Sequence, residues 1–403
     1  MNVAILIASL GGGGAEKMAI RLREGLFRAG MNSRLILLDN NREYDVTSAK
    51  VLSVSKNSWP TLVKAAFIPW QVYGLESYLK KHNINVVISF LERANIVNLI
   101  QNVVPCRIIS IRSHPSKLMA SKSPIKRKLV SLGYRKLLSR ANAIIGNSKE
   151  MIHDFQRIYG VDLKRLGVIY NFYDKKALEQ AAIEALSPAD QKMFQGRVII
   201  TAGRFNHEKG QYHLIRAFKK VCTVIEDAKL IILGKGDLFD TFIQMCDRFG
   251  ITDKVFFPGF VSNPAKYIAR ADMFAFPSLW EGFPNALLEA MSLGIPVIST
   301  DCSSGPREIL APGTSVDIKT KELEKTDCGM LIPPLDGQVR QESATLSKAE
   351  SYLSDGIIHM LNDPVYLGNC KKAVVRRASS FSEKSIIPEW VELIKEIKAH
   401  ADS

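Results

Sequence analysis

The segment Met273-Phe-Ala-Phe-Pro-Ser-Leu-Trp-Glu-Gly-Phe-Pro-Asn-Ala-Leu-Leu-Glu-Ala-Met291 carries the most informative pattern in this chain. A short apolar run, residues 273–276, leads through a loop rich in glycine and proline into a helix-forming stretch that begins near Asn285. The first backbone N–H groups of a helix have no partner within the helix, and here they would face the C-terminal edge of a sheet. The segment therefore predicts the binding edge of an α/β fold.

The same alternation of short apolar runs with longer amphipathic stretches extends to both sides of this segment. In the first half of the chain the apolar runs are residues 3–8, 33–38, 86–90, 107–111 and 143–146. The pattern then restarts, with runs at residues 198–202, 229–233, 255–258, 273–276 and 296–300. Strands that alternate with amphipathic helices predict a parallel, doubly wound sheet. Because the pattern restarts, we predict two such α/β units rather than one large sheet.

The length of 403 residues also suggests more than one domain, because a domain typically contains about 100 to 200 residues. We predict a first domain over residues 1–175, a linker over 176–196 and a second domain over 197–380. The tail, residues 381–403, has apolar residues at helical spacing and predicts a final helix. Residues 311–329 are polar and rich in lysine, and this composition predicts a surface loop.

Charge is distributed unevenly along the chain. The 54 Lys and Arg residues exceed the 40 Asp and Glu residues by 14, and residues 1–175 hold 27 of the basic residues but only 11 of the acidic ones. Between Glu92 and Glu150 there are 57 residues without any acid, and twelve of them are basic. Such a surface favours anionic partners, either nucleic acid or an anionic membrane, and a merely solvated basic face is the alternative. The composition is that of an ordinary globular protein, which excludes a collagenous, coiled-coil or disordered chain.

The cysteines and the apolar segments indicate the compartment. The six cysteines lie far apart without a C-x-x-C pair, which favours reduced thiols over a disulfide framework or a zinc site. The first eight residues are uncharged and lead into a glycine cluster, which predicts a first strand rather than a signal peptide. No apolar run approaches the roughly 18 residues of a membrane-spanning helix. We therefore expect a cytoplasmic protein whose membrane contact, if it has any, is peripheral.

Two carboxylates, Glu281 and Glu289, flank the predicted helix start at Asn285. Glu281 lies in the loop, and Glu289 lies about one turn into the helix, eight residues further on. Two carboxylates on either side of a dipole-positive helix start can hold the sugar hydroxyls and the ribose hydroxyls at the two ends of a nucleotide sugar. Surface carboxylates without a function are the alternative, and residue identity alone does not separate the two interpretations.

Two cations, Arg204 and Lys209, lie five residues apart where another predicted strand gives way to a helix. Arginine can bind phosphate oxygens through two hydrogen bonds, and lysine can act as a point charge. Together with the helix start near Asn285 they would neutralise a departing diphosphate. The chain contains no D-x-D sequence, so we expect no carboxylate-bound metal and no other cofactor.

Two features of the first half are weaker signals on their own. Gly13 and Gly14 belong to a glycine cluster between the first strand and the first helix, where backbone N–H groups can approach an anion, although a plain tight turn explains them equally well. His114 ends another predicted strand, and most single histidines in such positions are surface or core residues.

Taken together, these motifs resemble those of retaining glycosyltransferases of the GT4 type, which have the GT-B fold. The resemblance covers nearly the whole chain in order, and it rests on Gly-Gly-Ala-Glu at 13–16, His114, Gly-Arg at 203–204, Lys-Gly at 209–210 and Glu-Gly-Phe-Pro at 281–284 followed by Glu289. It implies two Rossmann-like domains that face a central cleft, with the nucleotide sugar mostly on the second domain and the acceptor mostly on the first. It also implies that the last helix crosses back to the first domain.

The resemblance assigns expected roles to individual residues. Arg204 and Lys209 would bind the diphosphate, Glu281 the donor sugar and Glu289 the ribose. His114 would lie near the transferred sugar, although many relatives have Glu before this histidine, whereas Arg112 and Ser113 precede it here. The remaining expected substrate contacts come from backbone or less secure positions, namely Gly13, Gly14, Val261, Lys266, Gly282, Phe283, Pro284, Asn285 and Leu288.

The resemblance implies retaining transfer of a sugar from a nucleotide sugar, with UDP-hexose or UDP-N-acetylhexosamine as the first expectation and GDP-mannose as the second. The first domain carries the acid-free basic stretch, and four aromatic residues precede it, namely Trp59, Phe67, Trp70 and Tyr73. This combination suggests that the first domain faces an anionic membrane and that the acceptor is a lipid-linked glycan. A GT-B enzyme without a membrane role, such as a disaccharide synthase or a nucleotide-sugar epimerase, is one alternative. A nucleic-acid-binding module is the other, but it leaves Glu281 and Glu289 unexplained.

Overall fold

The computed structural model describes residues 1–11, 13–41, 46, 49–52, 66–120, 123–340 and 345–402. The chain forms two compact units. The first consists of Met1–Phe172 together with Glu383–Ser403, and the second is Tyr173–Ser382. Residues 176–196, which the sequence analysis assigns to a linker, belong to the second unit.

The first unit is built on a parallel sheet. Its described strands have the order β3-β2-β1-β4-β5-β6-β7, and every neighbouring pair is parallel. The central strand is almost entirely buried, as expected for a sheet covered by helices on both faces. The strands are β1 Asn2–Ile7, β2 Asn32–Leu37, β3 Lys50–Val51, β4 Val86–Phe90, β5 Cys106–Ile111, β6 Ala143–Gly146 and β7 Leu166–Val168.

Helices connect these strands and cover the sheet. Helix α6 shows how the local sequence sets the bounds of a helix: Ser148 caps its start by accepting a hydrogen bond from the Met151 N–H, and Gly160 ends it with a φ of 59°. The helices of this part of the chain are α1 Gly14–Arg28, α2 Ile68–Lys81, α3 Glu92–Ile100, α4 Pro115–Ala120, α5 Pro124–Leu138 and α6 Lys149–Tyr159.

The second unit repeats the same central strand order. Its described strands follow β10-β9-β8-β11-β12-β14-β13, and all neighbours are parallel except β13 and β14. The predicted pair of Rossmann-like, doubly wound units is therefore confirmed. The strands are β8 Arg197–Ala202, β9 Ala228–Leu233, β10 Val255–Gly259, β11 Met273–Phe276, β12 Val297–Thr300, β13 Glu324–Thr326 and β14 Gly329–Ile332.

The helices of the second unit include the one predicted from the opening segment, which begins at Asn285 as expected. Two short helices lie within residues 176–196 and their flanks, where the Asn263 side chain donates to the Ala181 carbonyl and Tyr267 donates to Asp190. The helices are α7 Lys175–Ala182, α8 Pro188–Gln191, α9 Gln211–Val224, α10 Phe239–Phe249, α11 Ala265–Ile268, α12 Asn285–Ser292, α13 Pro306–Leu310, α14 Lys348–Asn362 and α15 Pro364–Ser379.

The prediction of a surface loop over residues 311–329 is wrong for its last part. Residues Glu324–Thr326 form the edge strand β13, which pairs antiparallel with β14. The Arg307 side chain holds this strand in place, because one guanidinium nitrogen lies 2.6 Å from Asp301 and 2.7 Å from Glu324. A polar strand of three residues contains no apolar run, so the sequence pattern could not reveal it.

The last helix, α16 Glu383–Asp402, belongs to the first unit. Trp390 is only 1% exposed and forms part of the core under the first sheet. Arg28 on α1 makes two hydrogen bonds with Glu383 at the start of α16. Gly25 permits the close packing, because a Cβ atom there would lie 2.3 Å from the Ile387 side chain. The tail thus packs on the first sheet.

The net charge differs sharply between the two units. The first unit holds 29 of the 54 basic residues and 15 of the 40 acidic residues, a net charge of +14. The second unit holds 25 of each and is neutral. The whole excess of positive charge therefore belongs to the first unit, even though the acidic tail helix is part of it.

Candidate functional site

The loop after β8 carries the two predicted cations. Gly210 ends this loop with a φ of 64°, and a Cβ atom there would lie 2.0 Å from the Pro277 carbonyl oxygen. Only glycine fits this approach, which brings the loop 203–210 against the loop after β11. The Leu279 N–H also donates to the Glu208 carbonyl oxygen at 2.8 Å. The C-terminal ends of β8 and β11 are thereby joined into one surface.

Lys209 and Glu281 form an ion pair on this surface. The Lys209 Nζ atom lies 2.6 Å from Glu281 Oε1, and the Ser278 hydroxyl donates to the same oxygen at 2.7 Å. The Glu281 side chain is 9% exposed and that of Lys209 is 27% exposed, so water screens this pair only partly. The structure thus brings together two of the predicted site residues and adds Ser278, which the sequence analysis did not assign. Its spacing of three residues from Glu281 is a signal that could have revealed it.

Arg204 differs from Lys209 in its surroundings. Its side chain is exposed, and no described acidic side chain forms an ion pair with it. Its backbone carbonyl accepts a hydrogen bond from Gln211, which fixes the chain at this point while the guanidinium extends into solvent. Arg204 therefore offers uncompensated positive charge and a planar set of donors that fits phosphate oxygens.

At the end of the loop before α12 and within α12, the side chains of Phe283, Pro284 and Leu288 are buried. Phe283 is buried and its ring centre lies 6.1 Å from that of Phe381, so its side chain serves the core of the unit. Pro284 packs against Gly305, whose φ is 109° and where a Cβ atom would lie 2.3 Å from Pro284 Cδ. Leu288 is also buried. The side chains of these predicted contact residues hold the loop in place.

Glu289 is the second predicted carboxylate of this segment. It lies within α12 and is 8% exposed, which makes a solvated surface carboxylate the wrong interpretation of this residue. A buried carboxylate needs polar partners to offset the loss of hydration. No acidic residue lies in the first turn of α12, so the positive end of the helix dipole is not neutralised there by its own sequence.

Residues 258–266 form the end of β10 and the start of α11. Gly259 has a φ of 80° and accepts a hydrogen bond from the Gly234 N–H, which turns the chain away from the sheet. Val261 is half-buried after this turn. The Lys266 ammonium lies 5.9 Å from the ring centre of Tyr267. Val261 thus lies just after the end of β10, and Lys266 lies in α11.

In the first unit, His114 lies in the short connection between β5, which ends at Ile111, and α4, which begins at Pro115. Its Nδ1 atom lies 3.5 Å from Asp154 Oδ2, and both side chains are buried. The Ser116 N–H and the Arg157 guanidinium also donate to Asp154, at 2.9 Å and 2.5 Å. Burial acts to raise the pKa of Asp154, but the hydrogen bonds from His114, Ser116 and Arg157 outweigh it and hold the pKa well below its usual range. Asp154 was not predicted, because nothing in the sequence links it to a residue 40 positions earlier.

Arg112, two residues before His114, is buried, and no described carboxylate forms an ion pair with it. Its guanidinium carbon lies 4.5 Å from the ring centre of Phe90, and it donates a hydrogen bond to Asn171. Desolvation by burial lowers its pKa to about 9. Arg112 thus serves the interior of the first unit.

The predicted anion position at Gly13 and Gly14 is the start of α1. Gly13 precedes the first helical residue, and a Cβ atom there would lie 2.3 Å from a carboxylate oxygen of Glu16. Glu16 lies in the first turn, where a negative charge is stabilised by the helix dipole. The chain itself thus supplies an anion at this helix start.

The described residues contain neither a metal-binding cluster nor a membrane-spanning helix. Within these residues, no group of three or more His, Cys, Asp or Glu side chains has the geometry to hold a metal ion. No described helix has both the length and the apolar composition needed to cross a bilayer. All six cysteines are free thiols.

Comparisons with known proteins identify a family for both halves of the chain. A family model described as Glycosyltransferase Family 4 matches residues 12–176, and one described as Glycosyl transferases group 1 matches residues 182–325. An N-acetylgalactosamine-N,N'-diacetylbacillosaminyl-diphospho-undecaprenol 4-alpha-N-acetylgalactosaminyltransferase of Campylobacter jejuni is 30% identical over 316 residues, which are 76% of this chain and 83% of that protein. An uncharacterized glycosyltransferase of Methanocaldococcus jannaschii is 28% identical over 363 residues, 87% of this chain and 89% of that protein.

A solved structure shows the same fold. Anabaena HepE, in a crystal structure with UDP, matches this chain with a TM-score of 0.73 at 18% sequence identity. The match covers 98% of this chain and 100% of that one.

Proposed function

Because this chain belongs to the GT4-type glycosyltransferases, we propose that it transfers a sugar from a nucleoside diphosphate sugar to a lipid-linked glycan, with retention at the anomeric carbon. The reaction takes place at the cytoplasmic face of the membrane during assembly of a bacterial surface polysaccharide, lipopolysaccharide or lipid-linked oligosaccharide. The donor is a UDP-hexose or a UDP-N-acetylhexosamine.

The observation that carries this proposal is the grouping of Lys209, Glu281 and Ser278 on one surface, with Arg204 on the same loop as Lys209. Negative charge develops on the diphosphate as the bond to the sugar breaks, while the sugar gains positive charge. Fixed cations and helix N–H groups that face the developing charge stabilise it without reorganisation. Arg204 and Lys209 fulfil this role for the diphosphate, and Glu281 accepts hydrogen bonds from the sugar hydroxyls.

The proton of the acceptor hydroxyl needs a base on the same face as the leaving group. We assign this role to the leaving phosphate oxygens, which gain negative charge as the bond breaks. Retention follows from this geometry, because the acceptor then attacks from the side that the diphosphate leaves. His114 contacts the transferred sugar, and no metal takes part.

The nucleotide and the acceptor are supported by different observations. The HepE structure was obtained with UDP, which supports a uridine donor over GDP-mannose. The name of the Campylobacter jejuni relative contains a diphospho-undecaprenol acceptor, which supports a lipid-linked acceptor here.

The first unit has a net charge of +14 and carries two exposed aromatic side chains on α2, Trp70 and Tyr73, at 71% and 70% exposure. Cations and aromatic rings together suit an anionic membrane surface. Trp59, the other aromatic residue of this expectation, lies outside the described residues, and Phe67 is half-buried.

The proposal is tested first with the donor. Thermal-shift measurements with UDP-, GDP- and ADP-sugars identify the nucleotide, and we expect stabilisation by a UDP-sugar that is lost in Arg204→Ala. The identified donor is then incubated with a polyprenyl-diphosphate-linked sugar, and NMR of the product reports the anomeric configuration. An inverted product contradicts retention, and stabilisation by none of the nucleotide sugars contradicts the donor assignment. Epimerisation or hydrolysis of the donor without acceptor would support the soluble GT-B enzyme instead.

A further inference from the structure

His114 has a buried partner that lies far from it in sequence. Asp154 is on α6, 40 residues after His114, and the pairing of β5 with β6 brings their C-terminal ends side by side. The two side chains are 7% and 4% exposed, and Nδ1 of His114 lies 3.5 Å from Oδ2 of Asp154. Arg112 and Ser113 directly precede His114, and Arg112 is engaged with Phe90 and Asn171.

The contacts of Asp154 divide between its two oxygens. Oδ1 accepts from Arg157, whose side chain is 74% exposed and lies on the same helix. Oδ2 accepts from the Ser116 N–H and faces Nδ1 of His114. An acceptor-only carboxylate that faces one ring nitrogen favours the proton on that nitrogen. In that tautomer Nε2 of His114 is the ring nitrogen that can act as a hydrogen-bond acceptor.

We propose that Asp154 is a positioning residue, which keeps the proton of His114 on Nδ1 and so presents Nε2 to a hydroxyl group of the transferred sugar. This inference rests on the proposed function, in which His114 contacts that sugar. Asp154 itself touches no substrate. It acts through His114, in the way that a buried carboxylate fixes the tautomer and the ring orientation of a catalytic histidine in other enzymes.

A purely structural role is the competing explanation, because Asp154 also accepts the Ser116 N–H at the start of α4. The variant Asp154→Asn separates the two roles. The amide oxygen of Asn can still accept from Ser116, but the amide has no negative charge and its NH₂ group cannot accept from Nδ1–H. Arg157→Ala is the matched control, because it removes a partner of Oδ1 and leaves the Oδ2 contacts with His114 and Ser116 in place.

The decisive experiment is a double-mutant cycle on the full chain, with the donor and acceptor of the proposed reaction. Outer carboxylates that orient a histidine typically contribute about 10- to 100-fold to activity, and we expect Asp154→Asn to lower kcat by this factor with little change in the KM for the donor. We expect the double variant with His114→Ala to be no slower than His114→Ala alone. Arg157→Ala should retain kcat within about twofold of the wild type.

Other results overturn the inference. If the two losses multiply in the double variant, Asp154 acts independently of His114. If His114→Ala keeps the wild-type kcat, there is no function for Asp154 to support. Failure of wild-type transfer with every nucleotide sugar contradicts the proposed function instead, and then the tautomer alone decides the inference.

The tautomer is measured by ¹⁵N NMR of the wild-type imidazoles, with the His114 signals assigned by their loss in His114→Ala. This measurement also applies if Asp154→Asn does not fold. A proton on Nδ1 with Nε2 unprotonated at neutral pH supports the inference. A proton on Nε2 with Nδ1 unprotonated overturns it.

Discussion

The two units have the same central strand order and opposite electrostatic designs. The first has a net charge of +14, yet the start of its helix α1 is neutralised by its own Glu16. The second is neutral as a whole, yet the first turn of α12 contains no acid and Arg204 nearby has no described ion-pair partner. Net charge determines how strongly a unit is attracted to a large charged surface. Recognition of a small anion depends instead on the few charged groups that have no ion-pair partner.

Several charged side chains of the second unit form close ion pairs. In its described residues these include Lys209 with Glu281, Arg216 with Glu350, and Arg307 with Asp301. Such pairs stabilise only when both members are present, because removal of one leaves a charge with little hydration. The pairs differ in burial, and this difference sets the size of the effects that we expect.

The largest effect on folding is expected at Glu350, which is completely buried between His213 and Arg216. Glu350→Gln removes the negative charge that lies 3.0 Å from Nε of Arg216, whose side chain is 1% exposed. Breaking a buried ion pair costs about 3–5 kcal/mol in free energy of unfolding, and we expect a loss in this range by urea denaturation. The matched control is Asp355→Asn, which breaks an exposed pair with Lys220 and should cost less than about 1 kcal/mol. Equal losses for the two variants would contradict the contrast.

The pH dependence of stability gives an independent check of the same residue. Burial acts to raise the pKa of Glu350, but hydrogen bonds from His213 and the Ser347 N–H lower it below its ordinary value of 4.5. A carboxyl whose pKa is lower in the folded state stabilises the fold above its unfolded pKa, and this contribution disappears as the pH falls toward the folded pKa. We therefore expect the decline in unfolding free energy below about pH 4.5 to be shallower in Glu350→Gln. An unchanged slope would assign the acid sensitivity to other carboxyls.

A large effect on catalysis is expected at Lys209. In Lys209→Ala, the Glu281 side chain, 9% exposed, stays without the Lys209 cation, close to where the diphosphate should bind. Loss of one stabilising donor typically costs about 100- to 1,000-fold in kcat, and we expect a loss of this order. Repulsion by Glu281 should also weaken the binding of UDP, measured by calorimetry. The double variant Lys209→Ala with Glu281→Gln should recover part of the affinity but not the kcat.

The exposed pair again provides the control, because Lys220→Ala removes a cation of the same unit at a distance from the loop. It should leave both kcat and UDP affinity close to the wild type. If Lys209→Ala binds UDP as tightly as Lys220→Ala does, Lys209 serves the fold rather than the diphosphate.

A smaller effect tests whether membrane contact belongs to the first unit. Trp70→Ser with Tyr73→Ser removes two exposed aromatic side chains from α2. Because burial of aromatic surface at the bilayer interface contributes to binding, we expect partitioning onto anionic vesicles to fall by roughly tenfold in a sedimentation assay. Val365→Ser, at a 72% exposed site of the neutral unit, should leave partitioning unchanged. Equal binding of the wild type to neutral and anionic vesicles would contradict the role of the +14 charge.

The alternation of apolar runs and amphipathic stretches was enough to predict the fold from the sequence. Local spacing of residues predicted only part of the site. The strands of both sheets are continuous apolar runs because both faces of each sheet are covered, so the pattern located most of them. The edge strand Glu324–Thr326 was not predicted, because it is short and polar. Similarly, Ser278 is three residues from Glu281 and was within reach of the sequence, whereas Asp154 meets His114 only through the pairing of two strands. Long-range contacts of this kind leave no trace in a single sequence.

The smallest expected effect concerns the start of α1, where the chain supplies its own anion. Glu16→Gln removes a charge that interacts with the helix dipole, which should cost about 0.3–1 kcal/mol in free energy of unfolding. If Gly13 and Gly14 approach the diphosphate, as the resemblance implies, the same variant removes a repulsive charge from that position. We therefore expect UDP to bind severalfold more tightly to Glu16→Gln, although the protein is slightly less stable. Affinity and stability that fall together would show that Glu16 orders the loop for the ligand, and the contrast between the two helix starts would then lie in loop order rather than in charge.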